Sequence, residues 1–223
     1  MRKSKEQIIV FFDVDNTLVK GQSQKLFIDY LFKQKFLPFW VYLKIILWFI
    51  LYKLHLIENP RQAMDYSFQF SKGMTTTEME TLVERFFNEI LINKLYSQSL
   101  KIIKKHQSEG AEVVLVSNAF EFLVKRVARY LEVQYVICTK LTLSKKILTG
   151  TIEGGIVYGE NKATLIKQFL SQHNFSLTGS WAYADHISDL SALELVEHPV
   201  VINPDKYLLE EAQKRGWKIF KYY

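Results

Sequence analysis

The sequence of 223 residues contains one cysteine, Cys138. An internal disulfide is therefore excluded, and the composition fits a reducing cytosol with Cys138 as a buried structural thiol. Dense Lys/Arg blocks are also missing, because the formal net charge of +6 is scattered along the chain. That scatter argues against nucleic acid and leaves a small anionic molecule or an anionic membrane as the partner for the positive charge. Internal repeats and low-complexity segments are absent. The basic opening stretch MRKSKEQIIVFFDVD has an apolar run too short for a signal peptide, and it meets two acids at once. A cytoplasmic protein is the expectation.

What is present is an alternation of two periodicities. Apolar, strand-like runs recur at IIVFF (8–12), EVVLVS (112–117), QYVIC (134–138), WAYA (181–184), PVVIN (199–203) and WKIF (217–220). Amphipathic helical stretches lie between most of them, at 121–131, 161–173, 188–196 and 206–216. Such alternation predicts an α/β fold, a doubly wound parallel sheet with crossover helices in three layers. A continuous apolar run such as 8–12 suits a strand buried on both faces. It leads directly into Asp13 and Asp15. Buried carboxylates are costly without partners, so the strand should end near Phe12 and place both acids at its C-terminal edge. Open α/β sheets bind their ligands there.

The interval 21–93 reads as helices throughout and is too long for a simple connection. It predicts an inserted all-helical cap, with 1–20 and 94–223 forming the α/β core. Thr75 with Glu78, or Thr77 with Glu80, can form a capping box that starts a helix. Gly110 should close a helix that begins near Asn93. The segment FLPFWVYLKIILWFILYKLHLI (36–57) is interrupted only by Lys44, Lys53 and His55. At 100° per residue the two lysines fall on opposite faces, so the helix is apolar nearly all round. The leading reading is a cap-core or self-association helix. The second is an interfacial helix with Lys33, Lys35, Lys44 and Lys53 near headgroups, giving peripheral contact at the inner face of a membrane. A true span is disfavoured by the two lysines and the soluble pattern on both sides.

Asp13-Val14-Asp15-Asn16-Thr17-Leu18 at a strand end resembles the first motif of the haloacid dehalogenase (HAD) superfamily of phosphatases. Three further motifs follow in the family's order. Ser117 and Asn118 close EVVLVSN, Lys162 follows GEN at a helix start, and YADHISDL carries Asp185 and Asp189. The helical insert resembles the cap of the phosphoserine-phosphatase-like branch. The resemblance implies a Rossmann-like HAD core and magnesium-dependent hydrolysis of a small phosphorylated metabolite. It casts Asp13 as the nucleophile that forms an aspartyl-phosphate. Asp15 becomes the acid that protonates the leaving alcohol and then the base for water. Thr17, Ser117, Asn118 and Lys162 hold the phosphoryl oxygens, with Lys167 as the nearest rival to Lys162. Mg2+ would bind Asp13, the backbone carbonyl of Asp15, Asp185 and Asp189.

Ordinary roles stand beside these. Asp13 and Asp15 can cap a helix start, Ser117 can be an N-cap, and Lys162 can be a solvated first-turn lysine. Asp189 can be a helix N-terminal acid. His186 reads as a surface or supporting residue, since the family chemistry needs no histidine. The chain also departs from the family pattern. Ala184 stands where Gly is common, His186 where a small residue is common, and Asn16 where Gly or Ser is frequent. Gln22 occupies the position of the glutamate that meets the ammonium of phosphoserine. MDYSFQFSKG (64–73) lacks the arginine that meets its carboxylate; Arg61 and Lys72 are the nearest cations. L-Phosphoserine is therefore not expected to be the main substrate. Two alternatives remain from other classes: a membrane-associated lipid-phosphate phosphatase, and a non-catalytic phospholigand-binding protein.

Overall fold

Strand β1 (Ile9–Phe12) is fully buried and sits in the middle of a seven-stranded sheet. The structure is a computed structural model that describes residues 7–53 and 65–222. The end of the 36–57 run and Arg61 lie outside the described residues. The other strands are β2 (Glu112–Phe120), β3 (Tyr135–Ser144), β4 (Ile147–Glu153), β5 (Trp181–Ala184), β6 (His198–Ile202) and β7 (Lys218–Phe220). Their spatial order is β4-β3-β2-β1-β5-β6-β7, parallel except for the antiparallel β3–β4 pair. From β1 the chain builds outward in one direction through β2 and in the other through β5. The reversal creates a crevice at the C-terminal end of β1.

The helices are α1 (Ser23–Lys33), α2 (Phe39–Lys53), α3 (Thr76–Glu89), α4 (Ser97–Ser108), α5 (Glu121–Tyr130), α6 (Glu160–His173), α7 (Leu190–Leu193) and α8 (Lys206–Arg215). Alternate strand residues serve different layers, as a period of two requires. Val10, Phe12, Val113 and Leu115 pack with Ile103 of α4, Leu123 and Val127 of α5, and Phe27 of α1. Ile9, Phe11, Val114 and Val116 pack with Ile166 and Phe169 of α6, Leu193 of α7 and Leu208 of α8. The expected three-layer, doubly wound arrangement is present.

Several local expectations change. The second strand runs on to Phe120, with a bulge between Ser117 and Phe120. The third extends to Ser144 and turns back as β4, a hairpin that the short run 134–138 did not foretell. Its tip is bonded to the helical insert: Gly73 N–H donates to the Leu148 carbonyl at 2.9 Å and Thr76 N–H to the Lys146 carbonyl at 3.1 Å. The pairing needs a partner distant in sequence, which a local pattern does not carry. The helix placed from Asn93 starts at Ser97, after a 3-10 turn over Leu91–Lys94. The helix placed at 188–196 is broken into a 3-10 turn, Ile187–Asp189, and the short α7. Thr75 and Glu78 form the capping box of α3 reciprocally, and Gly110 has φ of +82° just past α4.

Candidate active site

Asp13 follows β1 at once, its N–H bonded to the Tyr183 carbonyl of β5 at 2.9 Å. Asp185 follows β5 in the same way, so parallel pairing of two short strands brings both acids to one edge. Asp189 ends the 3-10 turn one step later. Lys162 comes from the other side, in the first turn of α6. Gly159 precedes that helix with φ 55° and ψ −138°, a conformation that favours glycine, and its carbonyl receives the Lys162 N–H at 2.9 Å.

These four side chains converge and are buried. Lys162 Nζ donates to Asp13 Oδ1 at 2.7 Å and to Asp189 Oδ1 at 2.8 Å. One carboxylate oxygen each from Asp13, Asp185 and Asp189 lies within 4.8 Å of the others. A single ammonium faces several carboxylates. Burial, opposed by Lys162, raises the Asp13 carboxyl to about 7. Burial and the neighbouring acids Asp13 and Asp189 push Asp185 well above the ordinary range. For Lys162, burial favours the neutral amine, but attraction to Asp13 and Asp189 outweighs it and the amine stays charged. The uncompensated negative charge and the all-oxygen donor set fit a hard divalent cation. Lys167, on the same helix, is exposed.

Asp15 sits differently. Its Oδ1 accepts the N–H of Ser23, the first residue of α1, at 2.9 Å. Asp15 therefore does cap a helix start, with its side chain held in place by the helix N-terminus. Burial raises its carboxyl, while the Ser23 hydrogen bonds pull the other way. The cavity wall comprises Asp13, Asp15, Asn16, Gln22, Ser117, Asn118, Val157, Tyr158, Lys162, Asp185, His186, Ser188 and Asp189. The β2 bulge follows Ser117 and contains Asn118; Ser117 Oγ accepts the Ala119 N–H at 3.1 Å, and Asn118 Oδ1 accepts from the Thr139 hydroxyl at 3.3 Å. The N-cap of α5 is Phe120, so Ser117 does not take that role. Thr17 does not line the cavity: it is fully buried, and its carbonyl accepts from the Ser99 hydroxyl at 2.5 Å.

A family model described as haloacid dehalogenase-like hydrolase matches residues 10–194. The chain belongs to this family. Phosphoserine phosphatase SerB1 of Mycobacterium tuberculosis is 29% identical over 212 residues, covering 94% of this chain and 69% of that protein. Histidinol-phosphatase of Neisseria meningitidis serogroup C is 26% identical over 235 residues, covering 96% and 98%. A crystal structure of a protein of unknown function from Bordetella pertussis Tohama I superposes with a TM-score of 0.88 at 24% identity, covering 96% of this chain and 98% of that one. The fold is thus shared with that protein along nearly the whole chain.

Residues not assigned to the site from sequence also line or support it, and His186 has the supporting place expected of it. Asn16 Nδ2 donates to Asp185 Oδ2 at 3.0 Å, and Asn203 Nδ2 donates to the Asn16 carbonyl at 3.0 Å. Asn203 follows β6 directly, so its place at a parallel strand's C-terminal end was a usable signal. His186 stands at the cavity wall, its Nε2 3.2 Å from Asp205 Oδ2 and its Nδ1 2.9 Å from Ser188 Oγ. Tyr158 and Ser188 gave no such signal.

Proposed function

We propose that this hydrolase is a phosphomonoesterase that works through an aspartyl-phosphate on Asp13. The observation that carries the reading is Lys162 held between Asp13 and Asp189 in a buried cluster of acids. An Asp13 carboxylate oxygen attacks phosphorus while the ester oxygen departs. Asp15 gives that oxygen its proton; burial, which raises the Asp15 carboxyl, favours the protonated form this step needs. Water then attacks the acyl phosphate, and Asp15 takes up the water's proton, restoring Asp13 and releasing phosphate. Lys162 fixes Asp13 and offsets charge on the transferring oxygens. Ser117 and Asn118 line the cavity and would receive those oxygens.

Asp13, Asp185, Asp189 and the Asp15 carbonyl would hold Mg2+. The ion would supply charge neutralisation for the phosphoryl group. In the same reading, residues 1–20 and 94–223 are the catalytic core and 21–93 is a cap that shields the crevice from water.

The proposed substrate is a small phosphorylated metabolite other than L-phosphoserine. Gln22 lines the cavity where an ammonium would ask for a carboxylate. Lys162 is the one Lys or Arg among the described lining residues, and it is already engaged by Asp13 and Asp189. Among the described lining residues no other Lys or Arg is left for a substrate carboxylate. The test is phosphate release with and without magnesium, wild type beside Asp13→Asn. Its panel holds para-nitrophenyl phosphate, L-phosphoserine, histidinol phosphate, phosphoethanolamine and sugar phosphates. Magnesium-dependent release that Asp13→Asn abolishes is the expected result. Release that persists in Asp13→Asn would overturn the nucleophile, and selective turnover of L-phosphoserine would overturn the substrate class.

A further inference from the structure

Helix α2 has one side against the protein and one side against nothing. Ile45 is fully buried, and Val41 and Tyr42 pack partly buried against the core. The Tyr42 ring stacks on Phe32 at 4.1 Å, and its hydroxyl donates to Asp29 at 2.9 Å. These contacts fix the helix's rotation. The opposite side exposes Trp40 (76%), Leu47 (52%), Ile50 (50%) and Leu43 (46%), and Phe36 (55%) is exposed just before the helix. Positions 40, 43, 47 and 50 recur at the three- and four-residue spacing that lines up one helical face. A continuous apolar stripe of this length is not ordinary monomer surface.

We infer that this stripe docks the protein in the plane of an anionic lipid surface. The charge pattern selects that partner. No Asp or Glu occurs from Tyr30 to Ile57. Lys33 and Lys35, just before the helix, and Lys44, on it, are exposed, with the Lys44 ammonium over the Tyr66 ring at 4.4 Å. Anionic headgroups supply the missing countercharge, and the aromatic end formed by Phe36, Phe39 and Trp40 suits the headgroup boundary. Pairing with a second copy would face the same lysines toward one another with no acid in the run to answer them. Packing sets the orientation: Val41, Tyr42 and Ile45 hold one side of the helix against the protein, so only the opposite side is free to meet lipid. Among the described residues no helix is long and apolar enough to cross a membrane. The helix therefore lies along the surface with its stripe down. This inference does not depend on the proposed reaction.

The experiment is vesicle flotation of the full chain with phosphatidylcholine alone and with phosphatidylcholine containing phosphatidylglycerol. Wild type floats with the anionic vesicles, and added salt releases it. Trp40→Glu combined with Leu47→Glu abolishes flotation, while Tyr207→Glu, an exposed aromatic on α8, floats like wild type. Lys33→Gln, Lys35→Gln and Lys44→Gln together leave the apolar stripe intact and lower partitioning on the order of 100-fold. That charge variant keeps the test decisive should the double glutamate fail to fold. Equal binding to neutral vesicles, absence of binding, or a wild-type dimer that Leu47→Glu splits into monomers would each overturn the inference.

Discussion

Asn203 and Asn16 lie 187 positions apart in sequence and are joined by a 3.0 Å hydrogen bond from the Asn203 amide to the Asn16 carbonyl. Asn16 passes the constraint on to Asp185 at 3.0 Å, and Asn203 Oδ1 is itself held by the Tyr222 N–H at 2.6 Å. Both asparagines have positive φ, 53° and 47°, which this residue type tolerates. The loop after β1, the loop after β6 and the acid after β5 are thus tied together by hydrogen bonds. Asn203→Gly accepts the positive φ but loses both side-chain bonds. It should lower kcat about 10- to 100-fold, in the range seen when a support of a ligating carboxylate is removed, with KM nearly unchanged. Unaltered kcat in folded protein would remove Asn203 from any positioning role.

Lys162 is the cluster's counter-ion, and its removal leaves Asp13 and Asp189 buried without an ammonium. Lys162→Ala should destabilise the fold by about 3–5 kcal/mol, the usual cost of stranding a buried charge, and eliminate turnover. Lys167→Ala, at an exposed position of the same helix, should stay within about 0.5 kcal/mol. Urea melts of the two variants check this, and equal effects would mean that the buried ammonium carries no special load.

Asp13 gives a pH signature in metal-free protein. Its carboxyl is raised to about 7 in the fold, so between the ordinary carboxylate range and neutrality the folded state holds a proton that the unfolded state has lost. Stability therefore falls as pH rises through that window. Asp13→Asn removes the titration and should flatten the slope. The pH dependence of Tm in the presence of a chelator measures it. Parallel profiles for wild type and variant would contradict the raised carboxyl.

Magnesium should reverse the same penalty. Three carboxylate oxygens within 4.8 Å repel one another until a cation enters. Saturating Mg2+, at 100 times its dissociation constant, should add about 2.7 kcal/mol of stability, and Asp185→Asn with Asp189→Asn should lose most of that gain. A thermal shift titration reads it directly, and an unchanged Tm in wild type would speak against a metal at these residues.

The α3 cap offers a contrast outside the site. Thr75→Ala breaks a capping box in which Thr75 and Glu78 satisfy each other's backbone N–H. A loss of about 1 kcal/mol is expected. Calorimetry on the variant is sufficient to check it.

The layers, the direction of the sheet and the edge that carries the acids were legible in the sequence. Each depends on a local signal: a run buried on both faces, a helical period, an acid following a strand. Asp13, Lys162, Asp185 and Asp189 could be named because each falls in a motif that resembles the family's, and the fold gathers them: Lys162 bonds Asp13 and Asp189, and an Asp185 oxygen lies within 4.8 Å of theirs. Thr17 was named on the same grounds, yet it is fully buried and does not line the cavity. The β3–β4 hairpin, the Asn203–Asn16–Asp185 chain and the outward rotation of α2 were decided only by tertiary structure. Each rests on a contact between separate elements: the hairpin tip with 73–76, Asn203 with Asn16, and Tyr42 of α2 with Phe32 and Asp29 of α1. Periodicity fixes which residues share a face, whereas only packing against a specific neighbour fixes what that face meets.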